Sequence, residues 1–287
     1  MFSLRTRRRL WPYFLLVPGL LWLIAFFLVP ILSQSWVSLE TGNLEEGFQF
    51  NWAFSTYSDA LSNYGEQFLR SFEYAAIATV LALVISFPLA YYIAFKSRRK
   101  NLLLLLIILP FFTSYLVRTI AWQTILSDDG FVVDTLQSLG ILSADGRLLA
   151  TRTAVIAGIT YNFLPFMALP LYVSLEKIDR RLIEAATDLY ASRWTAFRKV
   201  TVPLALPGIF AGSLLTFIPA VGDFINAQLL GTSRQYMIGN VIQSKFLVVA
   251  DYPAAAALSF LMLVVILAAV LLYARALGTR SLTEAAV

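Results

Sequence analysis

Six long apolar stretches constrain the possible folds of this chain more than any other feature. Five of them contain no charged residue, namely Leu10–Leu39, Tyr74–Phe95, Thr153–Leu175, Val200–Gly222 and Tyr252–Ala274, and the sixth, Leu102–Leu126, is interrupted only by Arg118. A hydrocarbon core about 30 Å thick is crossed by about 20 helical residues. Backbone polar groups inside lipid must be hydrogen-bonded within their own segment, which favours helices over open strands. The sequence therefore predicts an all-α, polytopic membrane protein with six transmembrane helices.

The composition agrees with a lipid-embedded chain and narrows its chemistry. Hydrophobic residues make up 59% of the chain and charged residues only 14%, whereas soluble domains carry about a quarter charged residues. Because the chain contains neither Cys nor His, disulfides, thiolate nucleophiles and histidine-based triads are excluded. No nucleophile–base pair or metal-ligand cluster stands out, so we expect a protein that is not an enzyme.

We interpret residues 1–287 as a single transmembrane domain. Its spans are predicted at about 10–36, 71–95, 102–126, 153–175, 203–230 and 253–276. The first apolar run follows a basic start, as in a secretory signal peptide, but it is much longer than the 7–15 apolar residues of such peptides. We therefore expect it to be retained as the first span.

The distribution of Lys and Arg predicts the orientation, because cytoplasmic loops are enriched in these residues. If the N-terminus is cytoplasmic, sixteen of the 22 basic residues fall on the cytoplasmic side. They form clusters at residues 5–9, 96–100, 177–199 and 275–280, while most acidic residues lie in the opposite loops. The sequence thus predicts a protein of the cytoplasmic membrane whose two termini both lie on the cytoplasmic side.

The charged segment 176–202, between spans four and five, combines charge with helical periodicity. Asp179 is a candidate N-cap for a helix whose apolar stripe is formed by Leu182, Ile183, Ala186 and Leu189. A turn near residues 190–192 leads into a second helical stretch, and Pro203 opens the fifth span. By its pattern alone this segment is either an amphipathic loop at the lipid surface or a docking surface for a protein.

The same segment resembles the EAA loop of ABC importer permeases. Glu184-Ala185-Ala186, three residues, position 190, nine residues and then Val200-Thr201-Val202-Pro203 follow the family spacing. The resemblance implies a type I ABC importer permease fold and a coupling helix that docks on a cytoplasmic ATPase. It assigns that contact to residues in the loop and directly after it, namely Glu184, Ala185, Ala186, Asp188, Tyr190, Ala191 and Pro203. We call residues 176–202 the EAA loop.

One residue of the EAA loop departs from the family pattern. Tyr190 stands where the family has Gly. Gly permits positive φ or close packing, so Tyr190 must adopt a different turn or accept a strain of about 1–3 kcal/mol.

Other stretches resemble spermidine/putrescine-type importer permeases. They are Leu109–Trp122, Ile159–Asp179, Ile218–Gly231, Met237–Ile242 and the start of the last span at Asp251-Tyr252-Pro253. The resemblance implies a permease subunit that forms half of a polyamine pathway. Its implied partners are an ATPase dimer, a second permease subunit and an external substrate-binding protein. The chain has no phosphate-binding loop of the G-x-x-x-x-G-K-[ST] type, so it holds no cofactor, and ATP and Mg²⁺ are expected on the partner ATPases.

Polar and aromatic residues inside the spans are candidates for the substrate pathway, since charge within a bilayer is costly. The candidates are Asp223, Asn226, Tyr161, Asn162, Trp122 and Arg118. Asp223 either binds a substrate ammonium group or pairs with Arg118. The asparagines either contact substrate or join helices, and the aromatic rings either form cation–π surfaces or pack.

Several alternatives stay open at this point. The substrate could be another organic cation, an amino-acid-like solute or an anion, and the permease pair could be formed by identical or different chains. An ATP-independent channel or secondary transporter is a further alternative, which would transport without an ATPase partner.

Overall fold

The computed structural model describes residues 15–143 and 145–284, with side chains described as far as Arg275. The basic cluster Arg5, Arg7, Arg8 and Arg9, the first residues of the predicted first span and the side chain of Arg280 lie outside the described part.

The described chain consists of helices and one short hairpin. The helices are α1 (Leu15–Val37), α2 (Ser55–Phe95), α3 (Lys100–Ile108), α4 (Tyr115–Ile125), α5 (Phe131–Ser138), α6 (Arg152–Glu176), α7 (Arg180–Asp188), α8 (Arg193–Val221), α9 (Ile225–Leu230), α10 (Ile238–Leu247) and α11 (Tyr252–Glu284). The hairpin pairs β1 (Glu40–Asn43) antiparallel with β2 (Gly47–Phe50), with Glu40 opposite Phe50. The described residues divide into two compact units, one made of 15–63 and 242–264 and the other of 64–143, 145–241 and 265–284.

Helices long and apolar enough to cross a membrane occur in both units. Within the described residues there are five of them, or six if the bent pair Lys100–Phe112 and Tyr115–Ile125 forms one span. The predicted second span, 71–95, is the second part of the 41-residue helix α2. The predicted fourth span, 153–175, coincides with α6 to within one residue at either end.

The third predicted span differs from a single helix because it is sharply bent. α3 runs into a 3₁₀ turn at Leu109–Phe112, and α4 then leaves at 94° to it. Thr113 and Ser114 between them are extended, with ψ angles of 142° and 141°. Pro110 lacks a backbone N–H, which favours ending the α-helix in this turn.

The fifth predicted span, 203–230, begins earlier and ends earlier in the structure. α8 starts at Arg193, where the Ser192 side chain accepts the N–H of Thr195 at 3.2 Å, and it passes through a π-helical turn at Phe197–Thr201 before Pro203. α8 ends at Val221, and the short helix α9 follows. The structure therefore separates the Asp223 region from the membrane-spanning helix.

α6 and α8 pack closely in the larger unit because α8 presents glycines to α6. A Cβ atom on Gly208 would lie 2.5 Å from the Cβ of Ser174, and one on Gly212 would lie 2.8 Å from the Sδ of Met167. Two small residues four positions apart on α8 therefore allow the close approach of the two helices.

We expect Gly208→Ala to destabilise the protein by about 1–3 kcal/mol, because the added methyl group overpacks the contact between α6 and α8. The matched control is Gly65→Ala in α2, where a Cβ would meet no atom within 4 Å and helix propensity favours Ala. Thermal unfolding in detergent checks both variants. An unchanged unfolding temperature for Gly208→Ala would contradict the close packing.

Candidate functional site

A cluster of buried polar side chains lies where α4, α6 and α9 meet in the larger unit. α9 packs against both other helices, and its approach to α6 depends on Gly158, where a Cβ would lie 2.6 Å from the Oδ1 of Asn226. The cluster consists of Tyr115, Thr119, Asn162, Asp223 and Asn226. We call these five residues the polar cluster.

Asp223 is the only acidic member of the polar cluster, and its carboxylate is bonded entirely by neutral donors. Its Oδ2 atom accepts hydrogen bonds from the Tyr115 hydroxyl and from the Asn226 Nδ2, both at 2.5 Å. Its Oδ1 accepts the backbone N–H of Asn226 at 3.0 Å, which caps the first turn of α9. The residue is 6% exposed. The Asp223 carboxyl group is therefore buried among neutral partners, and no cation of the described residues is bonded to it.

Asn226 and Asn162 connect α9 to α6 and α4 through their side-chain hydrogen bonds. Asn226 Nδ2 also donates to the Tyr115 hydroxyl at 2.6 Å, and Asn226 Oδ1 accepts from Asn162 Nδ2 at 3.2 Å. Asn162 Nδ2 in turn donates to Thr119 Oγ1 at 3.3 Å. Three helices are therefore joined by one hydrogen-bonded network, and Asn162 Oδ1 lacks a hydrogen-bond partner in the described structure.

Arg118 lies beside the polar cluster and does not pair with Asp223. Its guanidinium carbon is 4.8 Å from the ring centre of Phe111 and 5.6 Å from that of Tyr115. Its Nε and Nη1 atoms are buried and find no hydrogen-bond acceptor within the described part of the chain. Because Phe111 precedes the bend of the third span and Arg118 follows it, this cation–π contact bridges the bend.

The structure brings most of the predicted pathway residues together. Asp223, Asn226 and Asn162 belong to the polar cluster, and Arg118 contacts it through the Tyr115 ring. Trp122 and Tyr161 form a separate contact between α4 and α6, with ring centres 5.3 Å apart.

Sequence reasoning missed Tyr115, Thr119 and Phe111. A signal for two of them was present, because Tyr115, Thr119 and Trp122 recur at intervals of four and three residues and so share one face of a helix. The relation of Phe111 to Arg118 had no such signal, since a bend separates them. Among the described residues, no group of three or more acidic side chains could hold a metal ion.

The EAA loop forms a second candidate site, and it is held firmly by the membrane helices. Its helix α7 is N-capped by Asp179, whose side chain accepts the N–H of Arg181 at 3.0 Å, as predicted from the sequence. Arg180 donates to the carbonyl oxygens of Ala94 and Phe95, at 3.3 and 3.1 Å, at the end of α2. The start of α7 is thereby tied to α2.

The predicted apolar stripe of α7 is buried on one side only. Ile183 packs against the core between α2 and α6, and Ala186 is half-buried. Leu182 and Leu189 of the same stripe are exposed. α7 therefore packs against the rest of the protein only along a narrow apolar edge. Its other side is exposed to solvent and carries Glu184, Ala185 and Asp188.

Aromatic stacking fixes the second half of the EAA loop. Trp194 stacks on Phe197 at 5.4 Å between ring centres. Phe197 meets Phe87 and Tyr91 of α2 edge-on at 5.5 and 5.9 Å. Pro203 lies within α8, directly after the π-helical turn.

Tyr190 forms the turn between α7 and α8 in a conformation that Gly normally occupies. Its φ angle is +60°. The N–H of Ala191 bonds the carbonyl of Ala186, and the N–H of Tyr190 bonds the carbonyl of Thr187, both at 3.0 Å. These two bonds define a Schellman motif with Tyr190 at the left-handed position, which costs a residue with a side chain about 1–2 kcal/mol.

Known proteins share both the sequence and the fold of this chain. Residues 82–277 match the family described as binding-protein-dependent transport system inner membrane component. The chain is 38% identical over 257 residues, covering 89% of this chain and 90% of that protein, to the spermidine/putrescine transport system permease protein PotB of Haemophilus influenzae. It is 35% identical over 223 residues, covering 73% and 71%, to the inner membrane ABC transporter permease protein YdcU of Escherichia coli.

A solved structure extends the likeness to the three-dimensional fold. A chain of a bacterial ABC transporter involved in the import of the acidic polysaccharide alginate superimposes with a TM-score of 0.71 at 21% identity, covering 96% of this chain and 98% of that chain. The predicted type I importer permease fold is thereby confirmed. The chain belongs to the family of binding-protein-dependent transport system inner membrane components and is a non-catalytic, multi-pass inner-membrane permease subunit of an ABC importer, in which a separate subunit hydrolyses ATP.

Proposed function

We propose that this permease forms half of a translocation pathway for polyamines such as spermidine and putrescine, with the polar cluster as part of the pathway. The relatives named for that transport support the substrate class. The observation on which the site rests is the buried Asp223 carboxylate, which has three neutral donors and, among the described residues, no cation bonded to it. An alkylammonium group of the substrate would supply the missing positive charge and regain the solvation it lost in leaving water.

A second candidate substrate is an amino-acid-like solute with both an ammonium and a carboxylate group. The observation that favours it is Arg118, whose Nε and Nη1 atoms have no hydrogen-bond partner in the described structure. Such donors suit a carboxylate. Uptake assays with radiolabelled spermidine decide between the candidates: competition by putrescine and not by amino acids supports the polyamine, and the reverse result overturns it.

The partners we propose follow from the importer family. Two cytoplasmic ATPase subunits bind ATP and Mg²⁺, a second permease subunit that is a different homologous chain completes the pathway, and an external binding protein delivers the substrate. The EAA loop docks on one ATPase through α7. Closure of the ATPases is then transmitted to α2 through Arg180, and from α2 to α8 through the contact between Phe87 and Phe197.

The orientation we propose has both termini and the EAA loop in the cytoplasm. The natural chain has no Cys, so a single introduced Cys shows on which side of the membrane its position lies. In intact cells we expect Ser97→Cys and Ser192→Cys to be shielded from a membrane-impermeant thiol reagent and Asn43→Cys, in the hairpin, to react. Permeabilised cells, in which all three should react, provide the control. Labelling of Ser97→Cys from outside would reverse the orientation.

A further inference from the structure

The turn at Tyr190 combines two features that are unfavourable for the residue itself. The backbone is held at a φ of +60°, a region that side-chain-bearing residues rarely occupy. The side chain is 99% exposed, so the ring gains almost no burial in return. Gly at this position would remove both costs. Strained residues at exposed sites are typical of binding surfaces, where the gain is made in the complex.

The backbone that carries the Tyr190 ring is held in place by hydrogen bonds and by packing of the flanking helices. Leu189 beside it is 81% exposed, and the hydrogen bonds of the Schellman motif fix the backbone of both residues. Below them, Arg180 ties α7 to the end of α2, and Phe197, on which Trp194 stacks, packs α8 against Tyr91 of the same helix. A backbone that is already fixed in this way needs no further ordering on binding, which favours affinity.

The surroundings of Tyr190 indicate a protein pocket and not the lipid surface. The exposed side of α7 carries charges of both signs, including Arg181, Glu184 and Asp188. Anionic lipid attracts uniformly basic surfaces, whereas mixed charges around an exposed aromatic residue are typical of a protein interface with a polar rim. Tyr is also among the residues enriched at binding hot spots.

We propose that Tyr190 and Leu189 form an aromatic–aliphatic anchor that inserts into a pocket of the ATPase subunit and selects the ATPase that matches this permease. The proposal rests on the proposed function of the EAA loop. It adds a specific contact at the position where the related loops have Gly, and it assigns the strained turn to partner recognition. An ATPase that serves Gly-containing loops would lack the pocket and bind this chain more weakly.

The test uses substitutions that separate the strain from the ring. Tyr190→Gly and Tyr190→Asn both tolerate positive φ, so we expect the permease to unfold at a temperature about 2–4 °C higher. The same two variants should bind the ATPase at least about tenfold more weakly, because the anchor is lost. Tyr190→Phe, which keeps the ring and the strain, should match the natural chain in both measurements. The assembled permease pair in nanodiscs is titrated with the purified ATPase subunit.

The outcomes distinguish this proposal from the function of the loop as a whole. If Tyr190→Gly stabilises the permease and still binds the ATPase normally, the anchor is overturned while the docking role of the loop stands. If Glu184→Lys also leaves ATPase binding unchanged, the docking role itself is wrong. If Tyr190→Cys labelled with an environment-sensitive fluorophore instead reports an apolar environment in lipid vesicles that lack any ATPase, the position is a membrane contact and the proposal is likewise overturned.

Discussion

Replacing Glu184 by Lys should abolish ATP-driven uptake while leaving the permease inserted and folded. Glu184 lies exposed on α7, and Lys has a helix propensity close to that of Glu, so the fold itself is expected to lose little. Reversing a charge within a desolvated interface typically costs about 2–5 kcal/mol. Since every 1.4 kcal/mol corresponds to a factor of ten in affinity, the ATPase should bind at least about tenfold more weakly.

The measurement compares ATPase co-purification, substrate-stimulated ATP hydrolysis and the amount of inserted protein. Glu184→Gln is the matched control, because it keeps the shape of the side chain and removes only the charge; it should fall between the natural chain and the Lys variant. Ala185→Leu, which adds bulk to an exposed position of the same helix, should also weaken docking. Normal substrate-stimulated ATP hydrolysis in the Lys variant would exclude a coupling role for this helix.

Replacing Asp223 by Asn should raise the substrate concentration needed for half-maximal uptake by about tenfold or more. Under the proposed pathway role, the variant loses an ionic contact with the substrate ammonium, and hydrogen bonds to charged groups are worth about 1.5–3 kcal/mol. The free energy of unfolding should fall by less than the free energy of substrate binding, because Asn retains an oxygen that can accept the backbone N–H of Asn226. Uptake kinetics and thermal unfolding of the same preparations separate the two effects.

Tyr115→Phe provides the control for the structural role of the same carboxylate. It removes the hydroxyl that donates to Asp223 and leaves the carboxyl group in place, so it should lower stability by about 1–3 kcal/mol and weaken uptake affinity less than Asp223→Asn does. Arg118→Gln added to Asp223→Asn should rescue nothing, since no ion pair joins Arg118 and Asp223 in the described structure. Partial rescue of stability by the double change would instead indicate a direct pair.

The sequence by itself determined the features that depend on local pattern or on the solvent. The apolar windows required membrane helices because a chain with 14% charged residues cannot cover such lengths with polar surface. Asp179 was identifiable as an N-cap because capping involves residues only two positions apart, here Asp179 and Arg181. The spacing of the EAA loop identified the family, because that pattern also lies within a short stretch of the sequence.

Only the tertiary structure decided how distant residues meet and what the backbone does at each turn. Asp223 is bonded by Tyr115, 108 residues away in sequence, and not by Arg118, although opposite charge favoured that pair. The bend at residues 113–114 turns Arg118 onto the rings of Phe111 and Tyr115, and periodicity carries no information on the direction of a helix after a break. Tyr190 adopts positive φ because the Schellman hydrogen bonds and the anchoring of both flanking helices outweigh its own backbone preference. In each case long-range packing prevailed over the local tendency, since many fixed contacts together exceed the one or two kcal/mol that a single residue prefers.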